Sequence, residues 1–290
     1  MLFNTSGWEV RAADLSDLDS LQDLIQRKSF VHRHLGWRSP LDWLGSEPFL
    51  VLENERDILA VLACPPDENN ITWLQLFAAA PGMSIRRCWD ILWPEANTIL
   101  QKKPAVSTVN SLVIRNELDE LLSQAGFKII DQVVVLFWNP TEAIWPDLNS
   151  THLIRNMEED DLELVYLVDR LAFDPIWRNS LSQLQAAFQG VFSATVIMVD
   201  NQIRGYQIST VNPQGGHLAR LVVDPFYQSQ GLGTLLLSDL LNKFLDRGII
   251  EVTVNTQYKN QTSLDLYKKF GFKLLEDKYP VRQYSYSDLS

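Results

Sequence analysis

Residues 222–237 read VVDPFYQSQGLGTLLL, and two glycines in this stretch, Gly231 and Gly233, separate an apolar run, HLARLVVD, from a leucine-rich periodic one. The pattern predicts a strand, a tight turn and a helix. A glycine lacks the Cβ that holds other backbones away from a ligand, and a helix N-terminus presents unpaired N–H groups with a favourable dipole. The turn therefore has the layout of a diphosphate cradle. No Lys-Ser/Thr pair follows the glycines, which excludes a Walker loop, and the position three after Gly233 is Leu236, which excludes the dinucleotide fingerprint. In the helix, Leu232, Leu236 and Leu240, with Leu237, Leu241 and Phe244, form a broad apolar face expected to be core.

Outward from the cradle, the second half alternates helix and strand patterns. A strand is predicted near His152–Met157, then a helix opening in the acidic EEDD and running through LELVYLVDRLAF, then a second helix over SLSQLQAAFQG. The runs ATVIMVD and RGYQISTV, joined by the turn-prone DNQ, read as a hairpin. Beyond the long helix, which ends at Gly248, come a strand EVTVNT, a helix through SLDLYKKF that stops at Gly271, and a last strand from Phe272. This order describes an α+β domain, a mixed sheet with helices on both faces.

The first half repeats the plan. VRAADLSDLDSL from Val10 matches IRNMEEDDLELV from Ile154 at an offset of 144, and AGFKII from Ala125 matches FGFKLL from Phe270 at 145. Pro81 and Pro225, each after an apolar run, also stand 144 apart. Such register predicts an internal duplication, and 290 residues suit two domains of ordinary size. The segment WNPTEAIWPDLNS, Trp138–Ser150, carries prolines without periodicity and is expected to be the linker.

Composition narrows the function classes. Hydrophobic residues are 46% and charged residues 21%, the balance of a globular chain, and the net charge is −11. The first 145 residues carry 12 Lys+Arg against 19 Asp+Glu, so neither half offers a basic face and no nucleic-acid partner is expected. An acidic surface would help to draw in cationic amines, and it equally serves solubility. No membrane span or signal peptide is legible, which makes the cytoplasm the expected address and a membrane partner unexpected. Cys64 and Cys88 lack metal or redox spacing and are expected to be buried small hydrophobes. His32 and His34, in VHRHLG, have no third ligand nearby and are expected to be a surface pair; no metal is expected.

The pattern V-x-P-x-x-Q-x-x-G-x-G, given by Val223, Pro225, Gln228, Gly231 and Gly233, resembles the acetyl-CoA motif of the GNAT superfamily of N-acetyltransferases. A second element agrees: NQTSLDLYKKFGF sets Asn260, Ser263, Leu264, Tyr267, Gly271 and Phe272 at the spacing of that family's N-x-x-A-(I/L)-x-L-Y-x-x-x-G-F, with Ser for Ala. The resemblance covers about Thr151–Tyr286, and its texture is nearest to bacterial members. It implies two tandem GNAT-like (acyl-CoA N-acyltransferase) domains. It further implies acetyl-CoA as co-substrate and direct transfer of acetyl to a primary amine on a small molecule, a protein N-terminus or a lysine. Backbone groups of Val222 and Val223 would hold the pantetheine and thioester. Amides of Gln228, Ser229, Gln230, Gly231, Leu232, Gly233 and Thr234 would wrap the pyrophosphate, with Asn260 also among the coenzyme contacts. Tyr267 matches the tyrosine that protonates the leaving thiolate.

The base departs from the family pattern. Where the histone-acetylating branch has a glutamate, eleven residues before the motif glutamine, this chain has His217; where the branch acting on protein N-termini has one, it has Asn255. His217 is the candidate base because imidazole titrates near neutrality, a plain strand residue being the other reading; Glu251 is a further candidate. In AFDPIWRNS, the loop that roofs the acceptor in this family, Phe173, Trp177 and Arg178 are candidate substrate contacts, ordinary loop packing being the alternative. A non-catalytic acyl-CoA sensor is the competing class, and a homodimer is left open.

By the same offsets, Arg87 stands at the position of Gly231, Trp89 at that of Gly233 and Leu122 at that of Tyr267. The expected division is therefore residues 1–140, a degenerate GNAT-like domain without cofactor that forms one wall of the acceptor cleft, and residues 151–290, the catalytic domain. The bulk of Arg87 and Trp89 is expected to fill the space a pyrophosphate needs.

Overall fold

The computed structural model describes residues 7–26, 30–67, 70–103, 105–146 and 152–286. The chain forms two compact units, residues 1–130 with 280–290, and residues 131–279. Each unit thus takes in one terminal strand from the other half of the sequence, and the division falls at 130/131 and 279/280 rather than in the Pro-rich segment near 140–150.

In chain order the first half contains β1 (Glu9–Ala12), α1 (Leu18–Gln26), β2 (Phe30–Arg33), β3 (Phe49–Glu53), β4 (Ile58–Ala63), β5 (Thr72–Trp73), β6 (Leu76–Ala79), α2 (Ile85–Gln101), β7 (Thr108–Leu112), α3 (Asn116–Gln124) and β8 (Lys128–Trp138). The second half contains β9 (Leu153–Asn156), α4 (Leu162–Ala172), α5 (Leu181–Gln189), β10 (Ser193–Val199), β11 (Gln202–Asn212), β12 (Gly215–Val223), α6 (Leu232–Asp246), β13 (Val252–Gln257), α7 (Gln261–Lys269) and β14 (Lys273–Ser285). Six pairs of elements follow the offsets read from the sequence. β9, β10, β11 and β13 each begin 144 residues after β1, β3, β4 and β7, and α7 and β14 begin 145 after α3 and β8.

Side-chain chemistry repeats with the backbone. Asp17 and Asp161 each close a capping box, with Asp14 and Glu158 respectively. Each also accepts a bidentate pair from an arginine of the preceding strand, Arg11 to Asp17 at 2.7 and 2.8 Å and Arg155 to Asp161 at 2.6 and 2.8 Å. The carboxylate thereby satisfies helix-start amides and ties the helix to the sheet edge. In both copies the arginine is the largest factor holding the aspartate below the usual carboxylate range.

In the second unit the strand order is β8-β13-β12-β11-β10-β9. β10 and β11 form the expected hairpin, turning at Asp200 and Asn201, both with positive φ. Helix α6 buries Leu232, Leu236, Leu237, Leu240, Leu241 and Phe244, as its periodicity predicts, each worth about 1.5–3 kcal/mol. The segment expected to be a plain linker is packed along its described part. Trp138 is fully buried and donates from Nε1 to Phe270 O at 2.9 Å, and Trp145 stacks edge-on against Trp138 and Phe270. Gly271, at φ +85°, allows this approach, since a Cβ there would lie 2.5 Å from Glu142 O. The remainder of that segment, 147–150, lies outside the described residues.

In the first unit one sheet runs β1-β3-β4-β6-β2, and β7 pairs with β5 on one side and with residues 281–285 of β14 on the other. Arg282 anchors that last strand through Asp119, at 2.7 and 2.9 Å, and through Phe127 O. Cys64 and Cys88 are buried, as expected. The histidines are not a surface pair. His32 is buried in β2 with Nε2 3.3 Å from Leu74 O, and His34 stacks on Trp73 at 4.6 Å. Burial pushes His32 down to about 4 and His34 to about 3.

Candidate active site

The cradle begins where β12 loses its neighbour. β12 pairs in parallel with β13 only over Gly216↔Val252, His217↔Thr253 and Leu218↔Val254, whereas its antiparallel pairing with β11 continues to Val223↔Gly205. A bulge at Ala219, where the register passes from Leu218 to Arg220, bends the strand at this point. Residues Arg220–Val223 thus keep one edge in the sheet and leave the other without a strand partner among the described residues.

Asp224 ends the strand and fastens the turn that follows. Its carboxylate accepts from Phe226 N at 3.0 Å and from Arg204 at 3.1 Å, and the Arg204 guanidinium lies 4.4 Å over the Tyr227 ring. Gln228 reaches back from Nε2 to Val223 O at 3.2 Å, and Gln230 Nε2 reaches Phe226 O at 3.4 Å. Ser229 and Gly231 have positive φ, +61° and +88°. Gly231 is the N-cap of α6, and no side chain caps the helix. The first-turn amides of Leu232, Gly233 and Thr234 lie at this uncapped end, where a helix has no internal acceptors. A Cβ at Gly231 would meet nothing within 4 Å, whereas one at Gly233 would face Leu266, Val223 and Leu221. Gly231 opens outward, and Gly233 permits the start of α6 to lie close to Leu266 of α7. Leu232 itself is core.

Tyr267 sits on α7, 4% exposed, its ring 5.5 Å from Phe272. Burial raises its phenol above the ordinary value, so it carries its proton throughout the neutral range. Asn260 caps α7, accepting from Ser263 N at 3.1 Å. His217 places Nδ1 2.9 Å from Thr253 Oγ1, and burial lowers its pKa.

The segment expected to roof the acceptor is half-buried at Phe173, Trp177 and Arg178. Arg178 Nε donates to Phe173 O at 2.8 Å, tying the loop to itself. No sequence motif marks the group that bonds to this segment. Asp169, fully buried, accepts on Oδ2 from Tyr206 Oη at 2.5 Å and from Arg220 Nε and Nη2 at 2.9 and 2.6 Å. Charged and hydroxyl residues at core positions of α4, β11 and β12 were the only signal in the sequence.

The first unit differs at the corresponding places. Leu76–Ala79, 144 residues before Arg220–Val223, pair with β4 on one side and with β2 on the other, in the register Phe30↔Ala79 to Arg33↔Leu76. Helix α2 begins directly after Ser84, whose hydroxyl accepts from Arg87 N at 3.4 Å. Trp89 does not project into a cradle. Because α2 starts nearly a turn earlier than α6, Trp89 falls on the core face, 2% exposed, 5.4 Å from Trp93 and edge-on to Phe77. The Arg87 guanidinium lies over the Trp8 ring at 4.1 Å.

The Acetyltransferase (GNAT) family model matches residues 130–272. The chain is similar to ribosomal protein bS18-alanine N-acetyltransferase of Salmonella typhimurium, 27% identical over 90 residues, 30% of this chain and 61% of that enzyme. The Escherichia coli K12 enzyme of the same name is 28% identical over 120 residues, 41% of this chain and 79% of that one. In fold, the chain resembles a tandem GNAT protein from the clavulanic acid biosynthesis pathway, with TM-score 0.66, 13% identity, and coverage of 96% of this chain and 98% of that one. Residues 130–272 are a GNAT-family acetyltransferase domain, and the fold is that of GNAT acyl-CoA N-acyltransferases.

Proposed function

We propose that the second unit transfers an acetyl group from acetyl-CoA to a primary amine by direct attack in a ternary complex. The observation that carries this reading is the conjunction of a one-sided strand edge, Arg220–Val223, with an uncapped helix start at Gly231. An extended amide-bearing arm can pair with the former, and a diphosphate suits the amides from Gln228 to Thr234 at the latter.

In the transfer, the amine nitrogen bonds to the thioester carbonyl carbon and the carbon–sulfur bond then breaks. Tyr267, kept protonated by burial, gives its proton to the leaving sulfur. His217, kept neutral by burial, takes the proton lost by the amine. Its Nε2 is the atom for this role, since Nδ1 faces Thr253 Oγ1. Phe173, Trp177 and Arg178 line the acceptor side, and Asn260 supports the coenzyme side by fixing the start of α7.

One coenzyme per chain is proposed. In the first unit β2 takes the edge of β6 and Ser84 caps α2, which supports a copy without coenzyme. The experiment is thiol release from acetyl-CoA with a panel of small amines and a peptide bearing an N-terminal alanine, the group named for the bS18 relatives. Amine-dependent release is expected; coenzyme binding with no release from any amine would favour the sensor class instead.

A further inference from the structure

Asp169 gathers more partners than any packing role requires. Besides Tyr206 and Arg220 on Oδ2, its Oδ1 accepts from Asn179 N at 3.0 Å, and its own carbonyl accepts from Phe173 N at 3.1 Å. Arg220 Nη2 also donates to Trp177 O at 2.8 Å, and its guanidinium lies 3.7 Å over the Phe173 ring. Asn179 N, Trp177 O and the Phe173 ring therefore all bear on one buried ion pair, whose arginine belongs to the one-sided edge of β12.

The fold itself does not need this pair. In the first unit Ile25 and Leu76 stand 144 residues before Asp169 and Arg220, and Val61, paired with Ala78, stands where Tyr206 pairs with Val222. Those three residues share one apolar cluster, so at the corresponding positions the first unit's sheet carries no charge. There α1 ends at Gln26, and Phe30–Arg33 form β2 along the edge of β6. A buried ion pair carries a desolvation cost that apolar residues avoid, so stability alone does not account for it in the second unit.

We infer that Asp169, Arg220 and Tyr206 are positioning residues that hold Phe173–Asn179 in one conformation over the acceptor side of β12, making this network a determinant of acceptor recognition. The inference rests on the reading of that cleft as the acceptor site. Arg220 acts through guanidinium geometry: a lysine, with a single ammonium, cannot keep the forked contact to Asp169, the bond to Trp177 O and the face of Phe173 together.

The test is hydrogen–deuterium exchange on the full chain, with thermal unfolding and acetyl-CoA titration alongside. Wild type is compared with the near-isosteric apolar triple Asp169→Leu/Tyr206→Phe/Arg220→Met and with Arg220→Lys. Peptides covering 173–180 are expected to exchange roughly tenfold faster in the triple and by a smaller factor in Arg220→Lys, with the core of β10 and β11 and the unfolding midpoint unchanged. Wild-type exchange of the roof in both variants, or loss of protection throughout the second unit, would overturn the inference. Absence of acetyl-CoA binding by the wild type would overturn the proposed function instead, while the exchange result still decides whether the network holds the roof.

Discussion

His217 Nδ1 lies 2.9 Å from Thr253 Oγ1 across the parallel pair that ends one residue later, at Leu218 and Val254. The imidazole is thus held beside the point where β12 and β13 part, with Nδ1 engaged. Because burial lowers its pKa from 6.5, the neutral form persists below that pH. The acid limb of kcat/KM is expected to have its midpoint below pH 6.5, with His217→Gln losing that limb and roughly 10²-fold in kcat. A wild-type midpoint above pH 7, or an unchanged profile in the variant, contradicts the assignment.

Tyr267→Phe removes only the phenol oxygen from a packed ring, so the fold should be retained. If the phenol protonates the leaving thiolate, kcat falls by roughly 10²-fold while the acetyl-CoA dissociation constant stays within about a factor of three. Equal loss of binding and turnover in steady-state and calorimetric measurements would mark Tyr267 as a packing residue.

The first unit should weaken in mild acid. His32 is neutral in the fold, with a pKa near 4, and takes a proton when unfolded near 6.5, so its contribution is complete above pH 6.5 and is lost as pH falls toward 4. At pH 5 the loss is about 2 kcal/mol for this residue alone. Urea unfolding at pH 7 and pH 5 checks it: the midpoint should fall with pH in wild type and clearly less in His32→Gln.

The glycine turn before α6 and the α6 core were legible because each rests on short-range pattern: Gly231 and Gly233 between a strand and a helix, and leucines at helical spacing. What the sequence hid depends on long-range pairing. Nothing in the local sequence of Phe30–Arg33 says that it will lie along Leu76–Ala79, and with that pairing unseen, His32 reads as a surface residue. Asp169, Tyr206 and Arg220 are separated by 37 and 51 residues from one another's contacts, and only the sheet brings them together. Trp138 and Trp145 look like linker residues until Gly271 allows the chain to close on α7.

The most direct measurement is a calorimetric titration of the full chain with acetyl-CoA, repeated on Gly231→Trp. That substitution points a large side chain into open space at the cradle, at the strained φ of +88°, and leaves the core untouched. The account predicts one molecule bound per wild-type chain and none by the variant, with circular dichroism unchanged. Two molecules per chain, binding that survives in the variant, or no binding by the wild type would contradict it.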